Sequence, residues 1–198
     1  MTPLKENTTM ANKKEVLYGY DAVQRVANME GRDLSIPEMM VIEEEGFVNK
    51  PYKDTKGITT YGVGQTGQWI NKPFSAAFAA HEEDARRLIP SYDSLPDPIK
   101  GAIMSAAYRG DLQGSPTFRK LFNAGDYEAA AAEFLDNKDY RKSLKEGTGV
   151  AGRMERVAQA VRDFGQSKAD EALYQDQQVA TAEELQGGKN WWDKLFSL

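Results

Sequence analysis

Apolar residues recur at helical spacing along most of this chain, with one compact window as the exception. Val16, Tyr20, Val23 and Ala27 fit one face of a short helix over Val16 to Met29, closed by Gly31. Ser35-Ile36-Pro37-Glu38 is a capping box with proline in the first turn. It opens a helix carrying Ile36, Met39, Met40 and Ile42, and Gly46 supplies the stop. The exception follows. Lys50 to Asp54 and Ile58 to Gly64 read as two strands joined through Asp54-Thr55-Lys56-Gly57, where Gly57 suits a positive φ. Gly62 and Gly64 bracket Val63, which marks a sharp bend or a close approach.

Helical patterning then resumes. Ser75 can cap a helix to about Ile89, and Asp97-Pro98 starts another with Ile99, Ala102, Ile103 and Ala106 on one face. Ser115-Pro116 opens a short helix ending at Asn123-Ala124-Gly125, Asp126 caps YEAAAAEFL, and a longer helix spans about Val150 to Phe164. Residues 1–13 read as disordered, and residues 166–188 as a polar, weakly patterned linker with a flexible joint at Gly187-Gly188. The final segment changes character: Trp191, Leu195 and Leu198 fall at i, i+4 and i+7, with Trp192 and Phe196 beside them. The predicted class is α+β, mostly α: a small antiparallel β-sheet lobe and a helical lobe joined by a linking helix, with a cleft between them. The predicted organisation is an N-terminal extension with a short helix over 1–34, a folded domain over 35–165, and a flexible tail over 166–198 ending in the amphipathic aromatic segment.

Composition narrows the chemistry by exclusion. A chain of 198 residues is long enough for a real core. It has no cysteine and a single histidine, His81, so disulfide frameworks, structural zinc sites and Cys/His nucleophile pairs are ruled out. His81 sits in the charged stretch AAFAAHEEDARRL and reads as a surface histidine. No metal or other cofactor is expected. The net charge of −5 gives no reason to expect nucleic-acid binding. Residues 1–15 lack an apolar core, so they read as neither signal peptide nor anchor, and no run is apolar enough to span a bilayer.

What remains is chemistry on carboxylates, hydroxyls or lysines. Glu45 closes a helix and Asp54 stands at the mouth of a turn. Two carboxylates on different rigid elements are what acid–base hydrolysis of a glycosidic bond needs. Each also has a plainer reading, since Glu43-Glu44-Glu45 can be a solvated acidic cap and Asp commonly opens a turn by bonding the backbone two residues on. Thr60 alone is an ordinary strand residue.

Taken together, Glu-x8-Asp-x5-Thr within EGF…YKDTKGITTYGVGQT resembles the phage-type lysozyme family. The resemblance continues through LPDPIKGAIMSAAYRGDLQGSPTFRKLFNAGDYEAAAAEFLD and GVAGRMERV, and covers roughly residues 36 to 164. It implies a lysozyme-like two-lobed fold and a peptidoglycan hydrolase cleaving the β-1,4 bond between N-acetylmuramic acid and N-acetylglucosamine. It also implies Glu45 as general acid, Asp54 as the carboxylate that activates water, Thr60 as the hydroxyl that holds that water, and inversion at the reacting carbon. Thr66, Ala107 and Ser115 fall near family positions that line the sugar cleft. The family often has histidine after Gly-x-Gly; here Gln65 stands there, which bears on local stability more than on catalysis.

The partners expected are peptidoglycan glycan strands and, through the C-terminal aromatic segment, a groove on a virion protein. Membrane docking of that segment is disfavoured, because from Ser167 onward six acidic residues outnumber three lysines. The expected setting is synthesis in a host cytoplasm and action at the periplasmic wall, reached through a pore or by virion delivery. A free endolysin and a virion-associated enzyme both fit. The competing reading is a catalytically silent lysozyme-like component of a virion, although such a module has no reason to keep Glu45, Asp54 and Thr60 together.

Overall fold

The computed structural model describes residues 16–54 and 57–195, with side chains described as far as Gln178. The readings of residues 1–13 and of Trp191, Trp192, Phe196 and Leu198 lie outside what is described. Contacts divide the chain into two compact units, one ending at Gly114 and the other starting at Ser115. That division falls within the stretch expected to form one domain. The architecture is mostly helical with one small antiparallel sheet, as the sequence pattern predicts.

In the first unit, strand β1 (Val16–Leu17) precedes helix α1 (Gly19–Glu30), where the sequence predicts helix from Val16 onward. The apolar face of α1 is Ala22, Val23 and Val26, whereas Tyr20 is exposed. Helix α2 (Ile36–Glu45) starts on the predicted capping box, with Ser35 accepting from the Glu38 amide and the Glu38 carboxylate accepting from the Ser35 amide at 2.8 Å. It stops at Gly46, whose φ of +70° favours glycine. A Cβ there would also lie 2.9 Å from the Leu17 carbonyl, so β1 can pass this point only because the residue is glycine.

Strands β2 (Phe47–Lys53), β3 (Thr59–Gly62) and β4 (Gln65–Thr66) complete a sheet of order β1-β2-β3-β4, antiparallel throughout. The β2–β3 register shifts between Val48↔Gly62 and Tyr52↔Thr60. Period-two alternation puts Thr60 and its cross-strand partners Tyr52 and Thr66 on one face. Phe47, Tyr61 and Gln65 lie on the other, where the Phe47 and Tyr61 rings meet edge-on at 6.3 Å and the Arg25 guanidinium of α1 lies over Phe47.

Helix α3 (Phe74–Leu88) begins one residue before Ser75, which is therefore not its cap. Glu30 supplies the missing acceptor from α1, taking the Ser75 amide at 3.2 Å. Helices α4 (Asp97–Tyr108) and α5 (Asp111–Gly114) close the unit. Helix α4 packs on α2 through Gly101, where an added Cβ would lie 2.2 Å from the Met40 sulfur and 3.3 Å from Met40 Cβ.

The second unit is all helical: α6 (Pro116–Asn123), α7 (Tyr127–Leu135), α8 (Lys138–Glu146) and α9 (Val150–Leu195). Asp126 caps α7 as predicted, accepting from the Ala129 amide at 3.3 Å. Phe118, Phe122 and Phe134 form its buried aromatic core. Gly165 lets α9 reach α7, since a Cβ there would be 2.7 Å from Tyr127 Cβ. The α9 backbone stays helical through Gly187-Gly188, where the sequence predicts a linker with a joint.

Two stability predictions follow from the first unit. Gly101→Ala displaces the flexible Met40 thioether, but the gain of roughly 1 kcal/mol in helix propensity offsets that repacking, so the net change read from chemical denaturation should stay within about 1 kcal/mol. Burial acts to raise the Glu38 carboxyl, but bonds from Arg32 and from the Ser35 amide and hydroxyl outweigh it and hold the group below its ordinary value. A carboxyl depressed on folding adds stability above its unfolded value, and that stability is lost as pH falls toward the folded one. Glu38→Gln should therefore lower the melting temperature at neutral pH and flatten its acid dependence; an unchanged acid profile would count against this role.

Candidate functional site

The three residues of the Glu-Asp-Thr pattern all fall in the first unit, on three different elements. Glu45 is the last residue of α2, Asp54 directly follows β2, and Thr60 is the second residue of β3. The glutamates before Glu45 are turned elsewhere. Glu43 is exposed, and the half-buried Glu44 accepts a hydrogen bond from the buried Ser105 hydroxyl of α4. The acidic run is thus three side chains in three environments rather than a uniform solvated cap.

Asp54 and Thr60 meet at one backbone unit. The Asp54 carboxylate accepts from the Ile58 amide at 2.8 Å, and the Asp54 amide donates to the Ile58 carbonyl at 2.9 Å. The Thr60 hydroxyl donates to that same carbonyl at 3.4 Å. Gly57, with φ +77°, returns the chain between them and donates its amide to the Asp54 carbonyl. The turn-forming reading of Asp54 is therefore realised. It also gives the carboxylate a defined direction, since one of its oxygens is held by the Ile58 amide. Thr60 is buried and Asp54 half-buried.

Glu45 lies at the opposite end of β3. A Cβ built on Gly64 would stand 3.5 Å from Glu45 Oε2 and 3.9 Å from Tyr108 Cε1, so carboxylate, turn and phenol ring share one corner. The Tyr108 hydroxyl donates to the Val63 carbonyl at 2.7 Å. Burial first, and then the nearby Glu45 carboxylate, push the Tyr108 hydroxyl well above the ordinary phenol range, so it stays protonated and donates. Behind it stand Phe74 and His81, with ring centroids at 6.1 and 4.8 Å.

His81 corrects the expectation of a surface histidine. It is half-buried, its Nδ1 lies out of solvent without a hydrogen-bond partner, and its ring packs on Tyr108. Gln65, expected to bear on local stability, ties its surroundings together. Its amide donates to the carbonyls of Trp69 and Lys72 at 3.0 and 2.8 Å, clasping the 3-10 turn Gly67–Trp69 to the hairpin. Gly62 makes room for that side chain, since a Cβ there would be 2.5 Å from Gln65 Oε1.

Of the expected sugar-lining residues, Thr66 is half-buried and directly opposite Thr60 across β3–β4. Ala107 is fully buried in α4, so its methyl serves packing rather than an open surface. Ser115 is the first residue of the second unit. A cavity of about 620 Å³ lies on the other face of the sheet, between Val26 and Met29 of α1 and Phe47, Asn49 and Tyr61. Among the described residues no group of carboxylates and histidine is placed to hold a metal ion, and no helix is long and apolar enough to cross a membrane.

The phage lysozyme family profile matches residues 42–160, more than half of the chain, a span that includes Glu45, Asp54 and Thr60. Among solved structures the chain is similar to the active form of the P1 phage endolysin Lyz, with a TM-score of 0.51 and 14% identity. That likeness covers 78% of this chain and 96% of the endolysin chain, and at this identity it concerns the fold. Comparison with curated proteins finds no match.

The half-buried imidazole yields a direct test. Desolvation, only partly opposed by Asp84, lowers His81 below its ordinary value of 6.5. The unfolded chain then binds the proton more tightly, so stability is full above the ordinary value and falls as pH drops through it. The single histidine makes this readable as one imidazole resonance by NMR, with an expected midpoint below 6.5. A midpoint at or above 6.5 would show the ring to be solvated.

Proposed function

This chain belongs to the phage lysozyme family, and from that membership we propose that it is a muramidase. Its substrate is peptidoglycan, and the bond cleaved is the β-1,4 linkage between N-acetylmuramic acid and N-acetylglucosamine. The observation that carries the reading is that the family match spans a helix-terminal Glu45, a turn-held Asp54 and a strand Thr60 in one compact unit.

In the proposed mechanism Glu45, protonated, gives its proton to the glycosidic oxygen as the bond to the anomeric carbon breaks. Asp54 takes a proton from a water whose oxygen attacks the opposite face of that carbon, and the Thr60 hydroxyl holds that water. The product then has inverted configuration, which requires the two carboxyl groups to stand far enough apart to admit the water. The bond from the Ile58 amide supports this division, since it holds one oxygen of Asp54 and gives the carboxylate the defined orientation that a base requires. The proposed place of action is the periplasmic wall of a bacterial host, reached through a pore or carried by a virion.

Glu45→Gln should lower turnover on purified sacculi by about 10²–10⁴-fold while leaving a cooperative melting transition. Near-wild-type turnover from that variant would remove Glu45 from the acid's role. Wild-type digestion followed by ¹H NMR should release the α-anomer first, before mutarotation; initial β-anomer would overturn inversion. A folded wild type without activity on sacculi would favour the silent structural component instead.

A further inference from the structure

We infer that Tyr108 is a positioning residue for Glu45, pinning the Val63–Gly64 turn beside the acid's carboxylate through its hydrogen bond to the Val63 carbonyl. The inference rests on the reading of Glu45 as the general acid and names a residue on which its geometry depends.

Three elements meet at this phenol. Glu45 ends α2, Val63 and Gly64 form the bend between β3 and β4, and Tyr108 ends α4. Val63 is fully buried, and its carbonyl lies within the bend between the paired residues Tyr61 and Gln65. The Tyr108 hydroxyl meets that carbonyl at 2.7 Å. Gly64, at φ +67°, faces Glu45 Oε2 and the Tyr108 ring across a gap that an added Cβ would just fill, at 3.5 and 3.9 Å, so a shift of the turn alters the space in front of that carboxylate. The ring cannot retreat, because Phe74 and His81 of α3 stand against it. A loosened turn therefore changes the space open to the Glu45 carboxylate, and proton delivery depends on that placement to within a fraction of an ångström.

A residue that merely stabilises the fold would, when altered, lower the melting temperature and leave turnover per folded molecule intact. A positioning residue alters turnover itself. The test is steady-state hydrolysis of soluble peptidoglycan fragments by the full chain, well below each variant's melting temperature, with amide hydrogen exchange at Gly64 and Gln65. Tyr108→Phe keeps the ring and removes the hydroxyl. It should lower kcat about tenfold or more with KM within about twofold, and exchange at Gly64 and Gln65 should quicken. His81→Leu removes the ring behind Tyr108 and spares the hydroxyl; it should lower kcat by a smaller factor with the same exchange signature. Should Tyr108→Phe fail to fold, the His81 variant decides on these same readouts. Wild-type kcat and unchanged exchange in the folded variants overturn the inference. An inactive wild type on the same substrate overturns the muramidase reading, and this inference with it, and is distinguished by the wild-type assay alone.

Discussion

The first unit depends on one stripe of α4. Gly101, Ser105 and Tyr108 fall at i, i+4 and i+7, so they stand in line along one helical face. Gly101 gives Met40 of α2 its seat, Ser105 donates to Glu44, and Tyr108 meets the corner where Glu45 and the hairpin bend converge. One small residue, one hydroxyl and one phenol thus contact α2 and the bend beside its C-terminal end along a single face of α4. Among the three glutamates that close α2, this arrangement directs Glu44 to α4 and Glu45 to the hairpin, while Glu43 is left to solvent.

The hairpin is stiffened from its other side by groups that carry no proposed chemistry. Gln65 points away from Thr60, into the space that Gly62 leaves, and joins the strand to two carbonyls of the following turn. Phe47 and Tyr61 cover the same face beneath α1. Strand β1 and α1 precede the family match, yet β1 pairs with β2 and passes over Gly46, where α2 ends. Strand β1 and α1 therefore belong to the packing around the end of α2, although they contribute no candidate site residue.

Features encoded locally were legible in the sequence. The Ser35–Glu38 capping box, the Gly46 stop, the Asp54–Gly57 turn and the Asp126 cap each depend on residues within a few positions of one another. What escaped notice depends on distant partners or lacks an apolar signature. Strand β1 is two residues long and exists through pairing with Val48 and Phe47. Helix α8 buries only Ser143, so it has no apolar stripe to read; its signals are the Asn137 cap and the left-handed Gly147. The starting point of α3 turned on Glu30, forty-five residues from the amide it caps. His81 read as solvated because its neighbours in sequence are charged, whereas its burial comes from Tyr108.

The candidate site shows the same division. Glu45, Asp54 and Thr60 were legible as a spaced pattern, and their elements were legible from caps and turns. Their fixation was not, because it runs through Ile58, Gly64 and Tyr108, ordinary residue types whose significance lies in which atoms they meet. A carboxylate contributes to acid–base chemistry only when its proton has a defined direction, and that direction is set by neighbours rather than by the carboxylate itself. In this chain the two carboxylates lie near opposite ends of one short strand, Asp54 bonded to the Ile58 amide before β3 and Glu45 near Gly64 after it. On the proposed reading, the length of β3 then contributes to the spacing between them, and inversion requires that spacing to admit a water.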